Sequence, residues 1–195
     1  YLKNKKSWCA VSTHKGEDVF FLDTHLIMKN ELKNFLTIII PRHINRCSEI
    51  FKLCKKLDLK AQILDKGAII EESSEVLIVN SFGETAKFLG YSESVFMGKS
   101  LLKRLEKVSG QNPIEAAKLG CKIYHGPYYN NFKDIYNQLN KLEISEEISN
   151  QKDLSIRLIN DIQKTKSNSN KSIEIINNIG EKIFNQNVRE INNFL

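Results

Sequence analysis

Phe35-Leu36-Thr37-Ile38-Ile39-Ile40-Pro41-Arg42-His43 holds the most apolar run of the chain and the polar turn that ends it. From Phe35 to Pro41 it is far too short to cross a bilayer, which needs roughly 20 apolar residues. Its apolar residues are continuous rather than alternating, as expected of a strand covered by helices on both faces. Pro41 lacks an N–H and ends the pairing. An amphipathic segment, Ile44–Leu57, follows.

The same unit recurs on either side. Upstream, the strand Trp8–Ser12 precedes a helix over Glu17–Lys29. Downstream come strands at Ala61–Leu64 and Val76–Val79, a helix over Glu84–Leu89 and a strand at Ser94–Met97. Then follow a helix over Pro113–Leu119, a strand at Lys122–Tyr124 and a helix over Phe132–Leu142. Short apolar runs alternating with amphipathic ones predict an α/β fold, a doubly wound parallel sheet. Beyond Leu142, Ile156, Ile159 and Ile162, then Ile173, Ile176 and Ile179, fall at helical spacing, with the polar turn Lys166–Asn170 between them. The chain is therefore divided into residues 1–145, the α/β domain, and 146–195, terminal helices that pack on it.

With 195 residues, 41% hydrophobic and 27% charged, the chain fits one globular domain. It starts with Tyr1 rather than Met and without the apolar core of a signal peptide, and is expected to be a soluble piece of a longer protein. The net charge of +6 invites a nucleic-acid partner. Against that, 24 of the 29 basic residues are Lys, whereas bidentate phosphate and base recognition favours Arg. From Glu146 onward seven basic residues balance seven acidic ones, and the excess in the first 145 is scattered. No nucleic-acid partner is expected; an acidic membrane surface for the parent protein fits better. Cys9, Cys47, Cys54 and Cys121 form no CxxC pair and have no His at zinc-finger spacing, so they are read as core thiols and no metal site is expected.

In such a sheet, ligands sit beyond the carboxyl ends of the strands. All three prolines and five of the nine glycines lie in the segments that follow the predicted runs. Ser12-Thr13-His14, before Gly16-Glu17, puts hydroxyls, an imidazole and N–H groups at a helix N-terminus; this suits an anion or a simple cap by Ser12 or Thr13. Arg42, after Pro41, offers a positive fork for phosphate or carboxylate, or a surface ion pair. Asn112-Pro113-Ile114-Glu115 reads as a helix start, where Glu115 either caps or, with Gly110 letting backbone come close, accepts both hydroxyls of a ribose. No GxGxxG, GxxxxGK[ST] or GxSxG occurs, which removes the main support for a dinucleotide dehydrogenase, a P-loop NTPase or an α/β-hydrolase.

Six collinear motifs carry a resemblance: Trp8 through Ser12-Thr13-His14-Lys15-Gly16-Glu17; Pro41-Arg42-His43-Ile44-Asn45-Arg46; Gly83-Glu84; Phe96-Met97-Gly98; Gly110-Gln111-Asn112-Pro113-Ile114-Glu115-Ala116-Ala117; and Gly126-Pro127 with Asn131-Phe132. Over residues 8–140 the chain resembles the C-terminal half of the 3-deoxy-D-manno-octulosonic acid (Kdo) transferases of lipopolysaccharide synthesis. The resemblance implies a GT-B glycosyltransferase with two Rossmann-like domains, this one holding the donor CMP-Kdo without a metal or other cofactor. Arg42 and the loop Ser12–His14 would meet the phosphate. Pro41, Arg42 and His43 with Phe82, Gly83 and Glu84 would surround the nucleotide, and Asn112 and Glu115 would hold the ribose. Gly98, Lys99 and Gly110 would complete the donor site. The catalytic base and the surface for the lipid A precursor would belong to a partner N-terminal domain of the same protein, at the cytoplasmic face of the inner membrane, and this piece alone is expected to be inactive. Where the family carries paired glycines, this chain has Gly98-Lys99 and Ser109-Gly110; Leu101–Val108 is longer than usual, and Tyr128 replaces a His. Another GT-B enzyme with a different nucleotide sugar, or a non-catalytic nucleotide-binding module, are the competing readings.

Overall fold

A computed structural model describes Leu2 and residues 5–164, 173–174 and 176–178. Strands β1 (Lys6–Thr13), β2 (Phe35–Pro41), β3 (Ala61–Asp65), β4 (Val76–Asn80), β5 (Ser94–Met97), β6 (Lys122–His125) and β7 (Ser145–Glu147) form one sheet in the order β3-β4-β2-β1-β5-β6-β7. Every neighbouring pair is parallel. The helices are α1 (Asp18–Lys29), α2 (Cys47–Lys56), α3 (Thr85–Tyr91), α4 (Ile114–Lys118), α5 (Lys133–Lys141) and α6 (Gln151–Gln163). The expected parallel α/β sheet is observed, and its chain path reverses at β1, which lies between β2 and β5.

Period-two alternation sends each strand's side chains to opposite faces. In β1, Cys9 and Val11 join Leu36, Ile38, Val95 and Met97 in a core closed by Phe88 and Leu89 of α3, Ala116 and Ala117 of α4, and Tyr136 and Leu139 of α5. Trp8 and Ala10 join Phe96 and Tyr124 beneath Phe21 and Met28 of α1 and Leu154, Leu158 and Ile162 of α6. Ile39, Val76 and Ile78 pack with Cys47, Ile50 and Cys54 of α2. All four cysteines are buried and none forms a disulfide; burial raises the Cys9 and Cys47 thiols and pushes the Cys54 thiol up to about 12.

Two elements depart from the expected pattern. Residues 145–147, Ser-Glu-Glu, form an edge strand paired with Ile123, Tyr124 and His125. A three-residue polar strand shows no apolar run, because its place comes from hydrogen bonds to β6 rather than from side-chain burial. The position between residues 145 and 146 thus falls inside β7. In addition, Lys103–Val108 form a 3-10 segment.

Polar contacts as well as apolar ones seat α6 on the sheet. Asp161 accepts hydrogen bonds of 2.6 Å from Ser94 Oγ and from the Tyr124 hydroxyl. Arg157 pairs with Glu146 of β7. Asn150 caps the helix, its Oδ1 accepting the Asp153 N–H at 2.9 Å. Replacing Asn150 with alanine removes that acceptor and is expected to cost about 1 kcal/mol; urea melts followed by circular dichroism would read it. Of the second terminal helix, Ile173, Glu174 and Ile176–Asn178 are helical and Ile176 is buried in the core; Lys166–Asn170 and Ile179 lie outside the described residues.

Candidate functional site

The chain path reverses at β1, between β2 and β5, and in open α/β sheets ligands bind beyond the carboxyl ends of the strands at such a switch point. There β1 ends irregularly: Ser12 has a φ of 57°, and the register with β2 shifts between Val11 and Thr13. That kink turns Thr13 inward. Thr13 is fully buried, its hydroxyl donates to Asp18 at 2.9 Å, and its carbonyl accepts both the Arg42 N–H at 3.0 Å and Arg46 Nη1 at 2.9 Å. Arg46 also pairs with Asp18, so a buried ion pair ties the first βα loop to the second.

Neither Ser12 nor Thr13 caps α1. The N-cap residue is Glu17, and no side chain caps that end. The Glu17 carboxylate itself is fully buried and accepts four backbone N–H groups: His14 at 2.9 Å, Lys99 at 2.8 Å, Ser100 at 3.0 Å and Leu101 at 3.1 Å. The loop after β1 and the loop after β5 therefore close on one carboxylate.

His14 is half-buried. Its Nδ1 donates to the Ser12 carbonyl at 3.0 Å, since a carbonyl can only accept, which leaves Nε2 for a ligand. Burial holds the His14 imidazole below the usual histidine range, with Lys99 and His43 acting the same way against the Ser12 carbonyl and Glu17. The His43 ring stands edge-on to it, centroids 6.2 Å apart. Arg42 and His43 are exposed, and the Arg42 side chain makes no ion pair or hydrogen bond with any described residue. Pro41 is buried beside Thr13 as the last paired residue of β2. The strand ends thus gather Arg42, His43 and His14, with Lys99 across from them on β5's loop.

The expected β5-loop residues hold the backbone together. Gly98 donates to the Val11 carbonyl at 2.8 Å, and a Cβ there would lie 2.7 Å from the Ser12 carbonyl oxygen. Lys99 adopts a φ of 60°. Gly110 donates to the Lys99 carbonyl at 2.9 Å and passes close to the Tyr129 backbone. The N–H groups of all three are satisfied inside the protein, so what they can offer a ligand is the Lys99 ammonium. Tyr128 donates its N–H to the Ser100 carbonyl at 3.0 Å.

Asn112 Oδ1 accepts the Ile114 N–H at 3.0 Å and so starts α4. Glu115 is exposed, and its carboxylate makes no contact of the capping kind with any described residue. On the other flank, beyond β4, Phe82 is 73% exposed and Gly83 has a φ of 78°. Glu84 accepts from Ser81 Oγ and pairs with Lys87 at 3.5 Å, and chiefly the Ser81 hydroxyl holds its carboxyl below the usual range. No described contact joins Phe82–Glu84 to Glu115; they line the same edge from opposite sides. Two features escaped the sequence reading, Glu17 as a buried acceptor and the Asp18–Arg46 pair. Their signal was adjacent acids, Glu17-Asp18, at the start of an otherwise apolar helix.

A seven-stranded parallel sheet with helices on both faces and polar loops at its switch point is a Rossmann-like, doubly wound fold. The solved C-terminal CMP-Kdo binding domain of WaaA from Acinetobacter baumannii has this fold, with a TM-score of 0.78 and 22% identity over 92% of this chain and 91% of that one. The particular relationship is with the 3-deoxy-D-manno-octulosonic acid transferases, and the chain is a homologue of their C-terminal part. It is 27% identical over 185 residues to the Haemophilus influenzae enzyme and 26% identical over 200 residues to that of Rickettsia prowazekii, matches that cover 95% and 100% of this chain. The chain spans 42% of the length of each. No protein-family model matches it.

Proposed function

We propose that this domain binds the nucleotide of a CMP-linked Kdo donor and, within a longer GT-B chain, serves transfer of Kdo to a lipid A precursor at a membrane surface. The observation that carries the reading is a pair of unused charges. Arg42 and Glu115 are exposed at the carboxyl edge and have no side-chain partner among the described residues, the first suited to a phosphate and the second to a ribose diol. In this reading Ser12, Thr13 and His14 shape the phosphate end, with the His43 ring edge-on to His14. Pro41, His43, Phe82, Gly83 and Glu84 frame the nucleotide, and Asn112 sets the helix start that presents Glu115. Gly98, Lys99 and Gly110 hold the β5 loop against them.

Departure of CMP from the anomeric carbon builds charge on the phosphate. The Arg42 guanidinium and the Lys99 ammonium, presented at the strand ends, stabilise that charge where it develops. The acceptor, the base and the membrane contact belong to the partner N-terminal domain.

Calorimetry tests the ribose assignment. Glu115→Gln replaces a charged acceptor by an amide, so CMP affinity is expected to fall about tenfold, roughly 1.4 kcal/mol. Wild type is expected to lose affinity for 2′-deoxy-CMP, and the variant much less. Melting temperature stays near wild type, because the exposed carboxylate bonds no described residue. Equal CMP affinity for the two proteins would remove Glu115 from the site, and no binding of CMP by wild type would remove the reading.

A further inference from the structure

We propose that Glu17 is the resident anion of the crevice and that it restricts the site to donors carrying a single phosphate. This rests on the nucleotide-binding reading above and assigns a specificity-determining residue to it. With Lys99 in the left-handed region, the successive N–H groups of Lys99, Ser100 and Leu101 face one carboxylate. Such a concavity of backbone donors is a nest, the arrangement that cradles phosphate oxygens in many nucleotide sites. It lies at the carboxyl ends of β5 and β1, where ligands of open α/β sheets bind.

Here the nest is full. One carboxylate oxygen of Glu17 takes the Lys99 and His14 N–H groups and the other takes Ser100 and Leu101, with no exposed surface left on the residue. A phosphate beside Arg42 and Lys99 therefore meets side-chain cations rather than backbone donors. A second phosphate reaching toward β5 finds its backbone donors already bonded and a negative charge in place. The same carboxylate positions the loop, since it holds His14 and Lys99 from the loops after the neighbouring strands β1 and β5.

The test is calorimetry of the 195-residue chain with CMP, CDP and inorganic pyrophosphate, on wild type, Glu17→Gln and Glu17→Ala, alongside melting curves. Wild type is expected to bind CDP at least tenfold more weakly than CMP. In Glu17→Gln that ratio falls to within about threefold. In Glu17→Ala, pyrophosphate enters the vacated nest and raises the melting temperature, while wild type does not respond. Wild type binding CDP as tightly as CMP overturns the proposal, and so does an unchanged ratio in a folded Glu17 variant. If neither variant folds, the wild-type ratio alone decides. Failure of wild type to bind CMP at all would sink the nucleotide reading instead, and the pyrophosphate response of Glu17→Ala would still report on the nest.

Discussion

Arg46→Ala is expected to lower stability by about 3–5 kcal/mol at neutral pH, because it strands a buried carboxylate. The side chains of Arg46 and Asp18 are only 10% and 3% exposed. Removing the guanidinium leaves Asp18 with the Thr13 hydroxyl and a backbone N–H but no countercharge, and leaves the Thr13 carbonyl one donor short. The pH dependence identifies the cause. Burial already holds the Asp18 carboxyl above the usual range, with Arg46 and Thr13 opposing. A carboxyl raised in the folded state contributes its full stability below its unfolded pKa and loses it as pH rises through the folded value. Without Arg46 the folded value rises further, so the deficit against wild type is largest at neutral pH and shrinks as pH falls toward the ordinary aspartate range. Urea melts of both proteins at pH 7.5 and pH 5 measure this. A deficit of equal size at both would show that no stranded charge was the reason.

Gly126→Ala is expected to cost about 3 kcal/mol, the upper end of the range for overpacking a close-packed site. A Cβ at Gly126 would stand 2.3 Å from the Ser100 carbonyl oxygen and 2.7 Å from its carbon, both backbone atoms. Ser100 cannot retreat. Its N–H is held by Glu17, its hydroxyl donates to the Met97 carbonyl at 2.7 Å and accepts from Gly126 at 2.9 Å, and its carbonyl holds Tyr128. For a chain of this size the melting temperature would fall by roughly 6–12 °C, taking about 2–4 °C per kcal/mol. The added methyl also pushes on the nest, so CMP binding should weaken with it. Gly90→Ala is the matched comparison: it sits in α3 with nothing within 4 Å of the added methyl and should be neutral or slightly stabilising. Equal melting temperatures for the two variants would mean that the β5 and β6 loops yield more easily than their hydrogen bonds imply.

Where apolar side chains determine an element, sequence and structure agree closely. Ser94–Met97 is a strand over the expected residues, and Phe35–Ile40 gains only Pro41. The expected start at Ile44 is a 3-10 turn that leads into α2 at Cys47. Where an element depends on its neighbour, the sequence is silent. Ser145–Glu147 becomes a strand because β6 offers an open edge.

The site divides the same way. That Arg42 and Glu115 would stand at strand ends is legible, since a strand's end and a helix's start are local features that Pro41, Asn112 and Pro113 mark by backbone chemistry. Which of their alternatives holds is read only from the structure: among the described residues neither an ion pair for Arg42 nor a cap by Glu115 is formed. Chain periodicity determined by itself that this protein is a parallel α/β sheet with its informative residues at the carboxyl edge, because burial period follows from backbone geometry. Tertiary structure alone decided the strand order, the Asp18–Arg46 pair across 28 residues and the Glu17 carboxylate under N–H groups as many as 84 residues away. Those depend on which side chains meet once the sheet is assembled, and a buried charge is tolerated only where such partners arrive.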